Sequence, residues 1–418
     1  MKTFYNKNYY NIKKENVGIE ERSYNEFSDY EKKLIELAQF DKNYIFEAWT
    51  ALGTNIELGY STHGFFRYFG KFPPVISTHL ITKYTKENDQ VFDPMSGSGT
   101  TAVEGMLLNR KTIVNDINPL SVLLAKVKTT HINKKDILTN LNTIKKNYKP
   151  ICLKEYNYEP VGLKDYNHWF LPETCDSLRG IKKCIEEISS EEIRNFFLAC
   201  FCAIIRPVSR ATTQQGRLFL DVETAKKDAL DTFEKKVLKN MDAVDELKKK
   251  NKVTVISEDV QNGDFSLLNN SSKLIIMHPP YFNSYKYSSI NSLELSWLDI
   301  NHADIRKSEI REFFKVGKKE NVDKYVNDMT SSIINITKTL KKNGYFAIMI
   351  GDTIIKDEYV PVTNLLINNI DKSILSIEKI ILRVPKYTEA SWAASQRRKG
   401  NNIGINLYDF IIIFKKVK

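Results

Sequence analysis

From Gln90 to Thr129 the chain repeats one pattern. An apolar run, QVFDPM, breaks into a turn holding Gly97 and Gly99, and a helical pattern starts at Thr100. A second apolar run follows in TIVNDI (Thr112 to Ile117), and Pro119 opens another helix. Strand, helix, strand, helix without hairpin-length connections predicts parallel strands, because a parallel neighbour is reached only through a long crossover, usually a helix. The pattern excludes an all-β sandwich or a helical bundle for this segment and reads as the first half of a parallel α/β sheet. Strand signals resume in KVTVI (Lys252 to Ile256), KLIIM (Lys273 to Met277), YFAIMIGD (Tyr345 to Asp352) and the terminal LYDFIIIFKK. Asn343-Gly344 ahead of the third predicts a helix end, with the glycine as left-handed cap.

The glycine turn has chemical consequences. Gly97 and Gly99 permit positive φ and put no Cβ between backbone and ligand, and a helix start presents unpaired N–H groups. A nucleotide-phosphate loop is disfavoured, because the Walker lysine is absent and GxGxxG is incomplete. Asp116 ends the next strand, where a carboxylate can accept hydrogen bonds from both ribose hydroxyls; the plainer role is capping the helix after Pro119. A second string, IIMHPPYFNSYKY (Ile275 to Tyr287), puts two prolines and a tyrosine at the end of another apolar strand. The prolines fix φ and withhold N–H groups, which stiffens the loop.

In this order the two strings resemble the motifs of the S-adenosylmethionine-dependent DNA amino-methyltransferases, which act on cytosine N4 or adenine N6. FDPMSGSGTT is similar to their cofactor motif, so the resemblance implies cofactor contacts from Asp93, Pro94, Met95, Ser96, Gly97, Ser98, Gly99 and Thr100. NDINPLS is similar to the acidic motif that follows and adds Asp116 and Ile117. YFGKFPP (Tyr68 to Pro74) is similar to the segment that closes over methionine and adds Tyr68 and Lys71; Asn262-Gly263-Asp264, ahead of the catalytic strand, adds Asp264. HPPY occupies the place of the S/D/N-PP-Y/F/W tetrapeptide, which implies catalytic roles for His278, Pro279, Pro280 and Tyr281. The likeness covers roughly Thr62 to Lys128 and Val253 to Lys418. It implies an α/β fold: a seven-stranded, doubly wound Rossmann-like methyltransferase sheet in the order 3-2-1-4-5-7-6, with a mainly helical insertion. Residues 1–60 then read as an N-terminal extension, 61–150 and 251–418 as the two halves of the methyltransferase core, and 151–250 as the insertion.

An exocyclic amino group is a poor nucleophile because its lone pair is delocalised into the ring. The nitrogen must be held in line with the methyl donor and its protons accepted. In the family the first side chain of the tetrapeptide and the carbonyl of the following proline are those acceptors, so Tyr281 is expected to stack on a base extruded from duplex DNA. Histidine at 278 departs from the family pattern. Neutral imidazole has one acceptor nitrogen and imidazolium none, so the expectation is an active enzyme with an acid limb near the ordinary imidazole pKa of ~6.5. The run YFNSYKYSSINSLELSWL looks more like the SPPY group, which favours cytosine N4 over adenine N6. An RNA methyltransferase of the tRNA guanine-N2 type and a non-catalytic cofactor and DNA binder are the alternatives.

The resemblance implies double-stranded DNA as partner, S-adenosylmethionine as cofactor, and a restriction-modification or DNA-modification setting in which a cognate restriction endonuclease is a possible second partner. A net charge of +11 over 418 residues suits a polyanion, and 42% apolar residues supply a sizeable core. Arg206, Arg210 and Arg217 flank SRATTQQGR, and Arg397 and Arg398 precede a polar Gly400-Asn401-Asn402 loop; these are the candidate DNA contacts, each balanced by an ordinary solvated loop. Trp169 and Trp392 are candidate wedges, with core packing the commoner role. The helix pattern ending near Lys252 carries Phe233, Val237, Met241, Val244 and Leu247 on one face. The five cysteines lack CxxC spacing and read as structural thiols of a reducing compartment, with no metal site. The N-terminus lacks an apolar h-region, the longest apolar run, FFLACFCAII, is too short to span a bilayer, and a cytoplasmic protein is expected.

Overall fold

Ten strands pair into one mixed sheet: β1 (Lys2–Phe4), β2 (Gly18–Ser23), β3 (Phe46–Leu52), β4 (Gln90–Asp93), β5 (Lys111–Asn115), β6 (Val253–Ile256), β7 (Ser272–Met277), β8 (Leu340–Gly351), β9 (Leu375–Val384) and β10 (Asp409–Lys416). Their order is β1-β2-β3-β9-β10-β8-β7-β4-β5-β6. This computed structural model describes residues 1–5, 17–214, 217–223, 227–247, 253–282, 287–310, 320–355, 357–385, 399–400 and 405–418.

The expectation of a seven-stranded sheet is corrected by this arrangement. Among the described residues this sheet has ten strands, and its whole order differs from 3-2-1-4-5-7-6, because residues 2–52 add three strands beyond β9. In the added part β3 runs parallel to β9, with Phe46 opposite Ile380, and β2 and β1 follow antiparallel. The other seven strands, taken from the β6 edge to β9, lie in the sequence 3-2-1-4-5-7-6 when numbered along the chain.

Thirteen helices are described: α1 (Asp29–Leu37), α2 (Pro74–Tyr84), α3 (Thr100–Leu107), α4 (Pro119–Thr129), α5 (Lys134–Asn147), α6 (Pro172–Glu186), α7 (Glu191–Val208), α8 (Ala229–Asp245), α9 (Tyr287–Ile290), α10 (Ser292–Ser296), α11 (His302–Ser308), α12 (Glu320–Thr337) and α13 (Val362–Asn368). Successive residues of a strand face opposite sides, so each strand feeds two cores. Phe92 and Ile275 pack with Leu34 of α1, Met329 and Ile333 of α12 and Leu366 of α13. Val91, Leu274 and Ile276 pack on the other face with Val75, Ile76 and Leu80 of α2, and Val114 meets Ala102 of α3 and Ala125 of α4. Parallel strands need this cover on both faces. Phe92 is fully buried, and truncating it to alanine costs about 3–5 kcal/mol.

The helices α5 to α8 build a further core around Phe197, Phe201 and Phe233, which reaches α4 through Leu120 and Leu124. The residues placed on one face of α8 by their spacing, Phe233, Val237, Met241 and Val244, with Leu247 just beyond, are all buried. Asn343-Gly344 is a correction. Helix α12 already ends at Thr337, and the pair sits inside β8, where the register with β7 shifts between Leu340 and Tyr345. The positive φ, 59°, belongs to Asn343. A side chain that tolerates the left-handed region serves a strand irregularity as well as a helix cap. Among the described residues no helix is long and apolar enough to cross a membrane.

Candidate active site

Strands β4 and β7 are parallel neighbours, with Phe92 opposite Ile275. From β4 the chain crosses through α3 to β5 on one side; from β7 it continues to β8 on the other. Their carboxyl ends therefore diverge at a topological switch point, where an open α/β sheet forms a ligand crevice. The glycine turn leaves β4 and the His278 loop leaves β7, and both line a single cleft of about 1160 Å³, part of it open to solvent.

The turn is held by a carboxylate at each end. Asp93 is buried beneath it and accepts from the Met95 N–H at 3.0 Å; burial pushes its pKa up to about 7. Asp116, at the end of β5, accepts from the Gly97 N–H at 2.7 Å and the Asn118 N–H at 2.9 Å, and burial raises its pKa to about 6. Gly97 and Gly99 have φ of 49° and 76°, conformations a side chain strains. Asn115 clasps three strand ends: its amide donates to the carbonyls of Pro94 and Glu258, both at 3.0 Å, and its Oδ1 accepts from the Glu258 N–H at 2.7 Å.

One cleft wall is aromatic. The Tyr68 hydroxyl lies 3.0 Å from the Ser121 hydroxyl, and burial, then the nearby Asp116, raises its phenol pKa. Its ring stacks near Tyr287, at the start of α9, with centroids 6.1 Å apart and planes 18° from parallel. The stem of Lys71 is exposed, but its ammonium turns inward to donate to the His63 carbonyl at 3.1 Å; burial there lowers its pKa. Glu309 lines the cleft too. It accepts from the Ser288 N–H and hydroxyl at 2.9 and 2.8 Å, and burial raises its pKa.

On the opposite side, His278 Nε2 lies 3.0 Å from the Tyr281 hydroxyl, and the imidazole also meets the Phe72 ring edge to face at 5.2 Å. The Pro280 carbonyl accepts from the buried Tyr325 hydroxyl of α12 at 2.7 Å. That bond ties the loop to the core and occupies one of its two proline carbonyls.

Of the residues singled out from the sequence, Tyr68, Lys71, Pro94, Met95, Ser96, Gly97, Ser98, Thr100, Asp116, Ile117, His278 and Pro280 line the cleft. Asp93, Gly99, Pro279 and Tyr281 are not among the lining residues. Asp264 is exposed, and its carboxylate accepts from the Ser266 N–H at 2.8 Å, at the start of the short helical turn Ser266–Leu268. Asp259 lines the cleft beyond β6, together with its acidic neighbour Glu258 and with Val260. An acidic residue just past the carboxyl end of the third parallel strand was the available signal for it. Tyr287, the last residue of the second motif string, also lines the cleft, as do Arg306, Ser308 and Ile310, which no local pattern marked.

The arginines separate. Arg206 is paired with the buried Glu294 at 2.8 Å and donates to the Ile290 carbonyl at 2.8 Å, so it joins α7 to α10. Arg210 donates to the carbonyls of Asn167 and His168 at 2.6 and 2.9 Å. The side chain of Arg217, and Arg397, Arg398 and Trp392 altogether, lie outside the described residues. Trp169 is half-buried against the insertion core.

Residues 2–126 match the family model described as DNA methylase, of the N6/N4 type. The chain is similar to Type II methyltransferase M.MvaI of Kocuria varians, with 26% identity over 301 residues covering 64% of each chain. It is also similar to Type II methyltransferase M.MjaII of Methanocaldococcus jannaschii, with 36% identity over 87 residues, 20% of this chain and 16% of that one. It spans less than two thirds of the length of these curated relatives. Among solved structures, TrmN from Thermus thermophilus aligns with 83% of this chain and 50% of its own at 8% identity and a TM-score of 0.34, a likeness too slight to argue from.

Proposed function

We propose that this chain, which resembles the N6/N4 DNA methylases in its matched segment and its motifs, is a site-specific DNA methyltransferase that moves a methyl group from S-adenosylmethionine to an exocyclic amino group of a base. One observation carries the reading: the glycine turn after β4 and the histidine-proline loop after β7 face one cleft. The cleft residues fit the cofactor. Asp116 offers a carboxylate to ribose hydroxyls, Asp259 and Val260 stand where an adenine edge could be met, and Gly97 leaves room for close approach. Ser96 Oγ and Asn118 Nδ2 are buried polar atoms without protein partners, each on a residue that lines the cleft, as expected where a polar ligand completes their hydrogen bonds. When bound, the cofactor supplies an electrophilic methyl group on sulfur.

The chain's own groups then have distinct tasks. His278, in its neutral form, accepts a hydrogen bond from the base amino group. In the tautomer where Nε2–H donates to the Tyr281 oxygen, Nδ1 carries the lone pair. The resemblance makes the Pro279 carbonyl the second acceptor, and that of Pro280 is engaged by Tyr325. Tyr287, in the cleft wall, takes over from the more buried Tyr281 as the ring offered to an extruded base. Cytosine N4 is slightly favoured over adenine N6, double-stranded DNA is the partner, and the setting is a restriction-modification or DNA-modification system.

The test is incubation with labelled S-adenosylmethionine and either genomic DNA or total tRNA, followed by sequencing that detects modified bases. Label in DNA at N4 of cytosine or N6 of adenine is expected; label in tRNA alone would overturn the reading. Histidine at 278 is the observation favouring a second reading, a homologue that binds cofactor and DNA without turnover. Activity with an acid limb in the ordinary imidazole range, lost in His278→Ala, excludes it, whereas a profile flat down to pH ~5 removes His278 from the mechanism.

A further inference from the structure

We infer that Lys128 is a positioning residue for the methyl donor, acting from behind the glycine turn through the carbonyl of Ser98. The inference rests on reading the cleft as the methyl-donor site. Lys128 ends the buried face of α4 and is among the largest fully buried side chains. Its ammonium donates to the Ser98 carbonyl at 2.5 Å. The turn is thus fastened on two sides, the Gly97 N–H on Asp116 in front and the Ser98 carbonyl on Lys128 behind.

Burial disfavours a cation there, and Glu104 offsets part of that cost. Glu104 of α3 is fully buried and attracts the ammonium, while it accepts from Tyr60 at 2.6 Å, lies 2.9 Å from His63 Nε2 and is also bonded by Thr78. The Thr62 hydroxyl donates to the Lys128 backbone carbonyl at 2.7 Å, which anchors the end of α4. Ala125, one turn earlier on the same face, meets Gly99: a Cβ at Gly99 would stand 3.1 Å from the Ala125 Cα. The face of α4 that carries Ala125 and Lys128 therefore seats both Gly99 and Ser98. Burial, then Lys71, lowers the Lys128 pKa to about 7, but an amine donates in either protonation state, so the fastening does not depend on its charge.

A lysine that served folding alone would alter the folded fraction and the apparent kcat. One that sets the turn alters the affinity for the methyl donor in molecules that are folded. Lys128→Met is predicted to weaken binding of S-adenosylhomocysteine, measured by calorimetry, by roughly 10-fold or more, the cost of leaving a buried carbonyl without its donor. The KM for S-adenosylmethionine should rise in parallel and the KM for DNA stay unchanged. Hydrogen exchange should quicken at the Gly97 to Thr101 amides before it does in the strands. If Lys128→Met does not accumulate folded, Thr62→Val loosens the same lysine without removing a charge, and a smaller rise in the same KM is expected. Unchanged S-adenosylhomocysteine affinity in folded Lys128→Met, or in Thr62→Val where that variant stands in, overturns the role of Lys128 alone. Failure of the unsubstituted protein to bind S-adenosylhomocysteine overturns the reading of the cleft, and this inference with it.

Discussion

Gly97 and Gly99 lie two residues apart with the same sign of φ, yet alanine at each should fail in a different way. At Gly97 (φ 49°) a Cβ would stand 3.4 Å from the Tyr68 ring, an ordinary contact, on a residue that lines the cleft. The left-handed backbone costs about 1–2 kcal/mol, offset by about 0.4–1 kcal/mol because alanine restricts the unfolded chain, so the net stability loss is about 1 kcal/mol. At Gly99 (φ 76°) the Cβ would stand 3.1 Å from the Cα and 3.3 Å from the Cβ of Ala125, so α4 must shift. Overpacking adds about 1–3 kcal/mol, for a total of about 2–4 kcal/mol. Gly97→Ala, with its methyl group in the ligand's space, should lose the larger share of S-adenosylhomocysteine affinity; Gly99→Ala, with its methyl group against a helix, should lose the larger share of stability. Urea denaturation and calorimetric titration of both variants measure the two quantities. If Gly97→Ala proves the less stable of the pair, or Gly99→Ala the weaker binder while equally stable, the geometry assigned to the turn is wrong.

Arg206→Met should lower stability by about 3–5 kcal/mol, because it leaves Glu294 buried without its cation, while the salt dependence of DNA binding stays unchanged. A shallower salt slope with unaltered stability would return Arg206 to the DNA contacts. Since Asp116 accepts hydrogen bonds as a carboxylate and burial lifts its pKa to about 6, affinity for the methyl donor should be full above that pH and fall as pH drops through it. Calorimetry between pH 5 and 8 checks this, and Asp116→Asn should be weak throughout without the limb. Tyr325→Phe strips the Pro280 carbonyl of its donor and should cost about 1–3 kcal/mol of stability and lower kcat, with the KM for the methyl donor unchanged; steady-state kinetics with a melt decide it.

The alternation of strand and helix from Gln90 to Thr129 was legible because each element announces itself locally, in an apolar run, a glycine break or a proline at a helix start. The meeting of the two motif loops was legible only through resemblance. What escaped notice was set by distant partners. Strand β2 is half-polar, and β3, though largely apolar, is fixed by its pairing with β9, more than 300 residues away. Asn343-Gly344 carries the signature of a helix end, but β7 draws the chain into a strand before the signal is used. Asp264 and Asp259 look alike in sequence, and only the position of β6's end selects the latter for the cleft. Arg206 reads as a surface cation until α10 brings Glu294 against it.

The strands gathered at the N-terminal margin of the sheet also bear on what the sheet offers to other molecules at its edges. β9 is ten residues long and largely apolar, and β3 pairs with its second half, Ile380 to Val384, on the side away from β10. The outermost ribbons are instead β1 and β6, of three and four residues. Short rims give a second molecule little to zip onto. A chain trimmed back to residue 53 would bare that long ribbon, and self-association should follow even with every cleft residue in place.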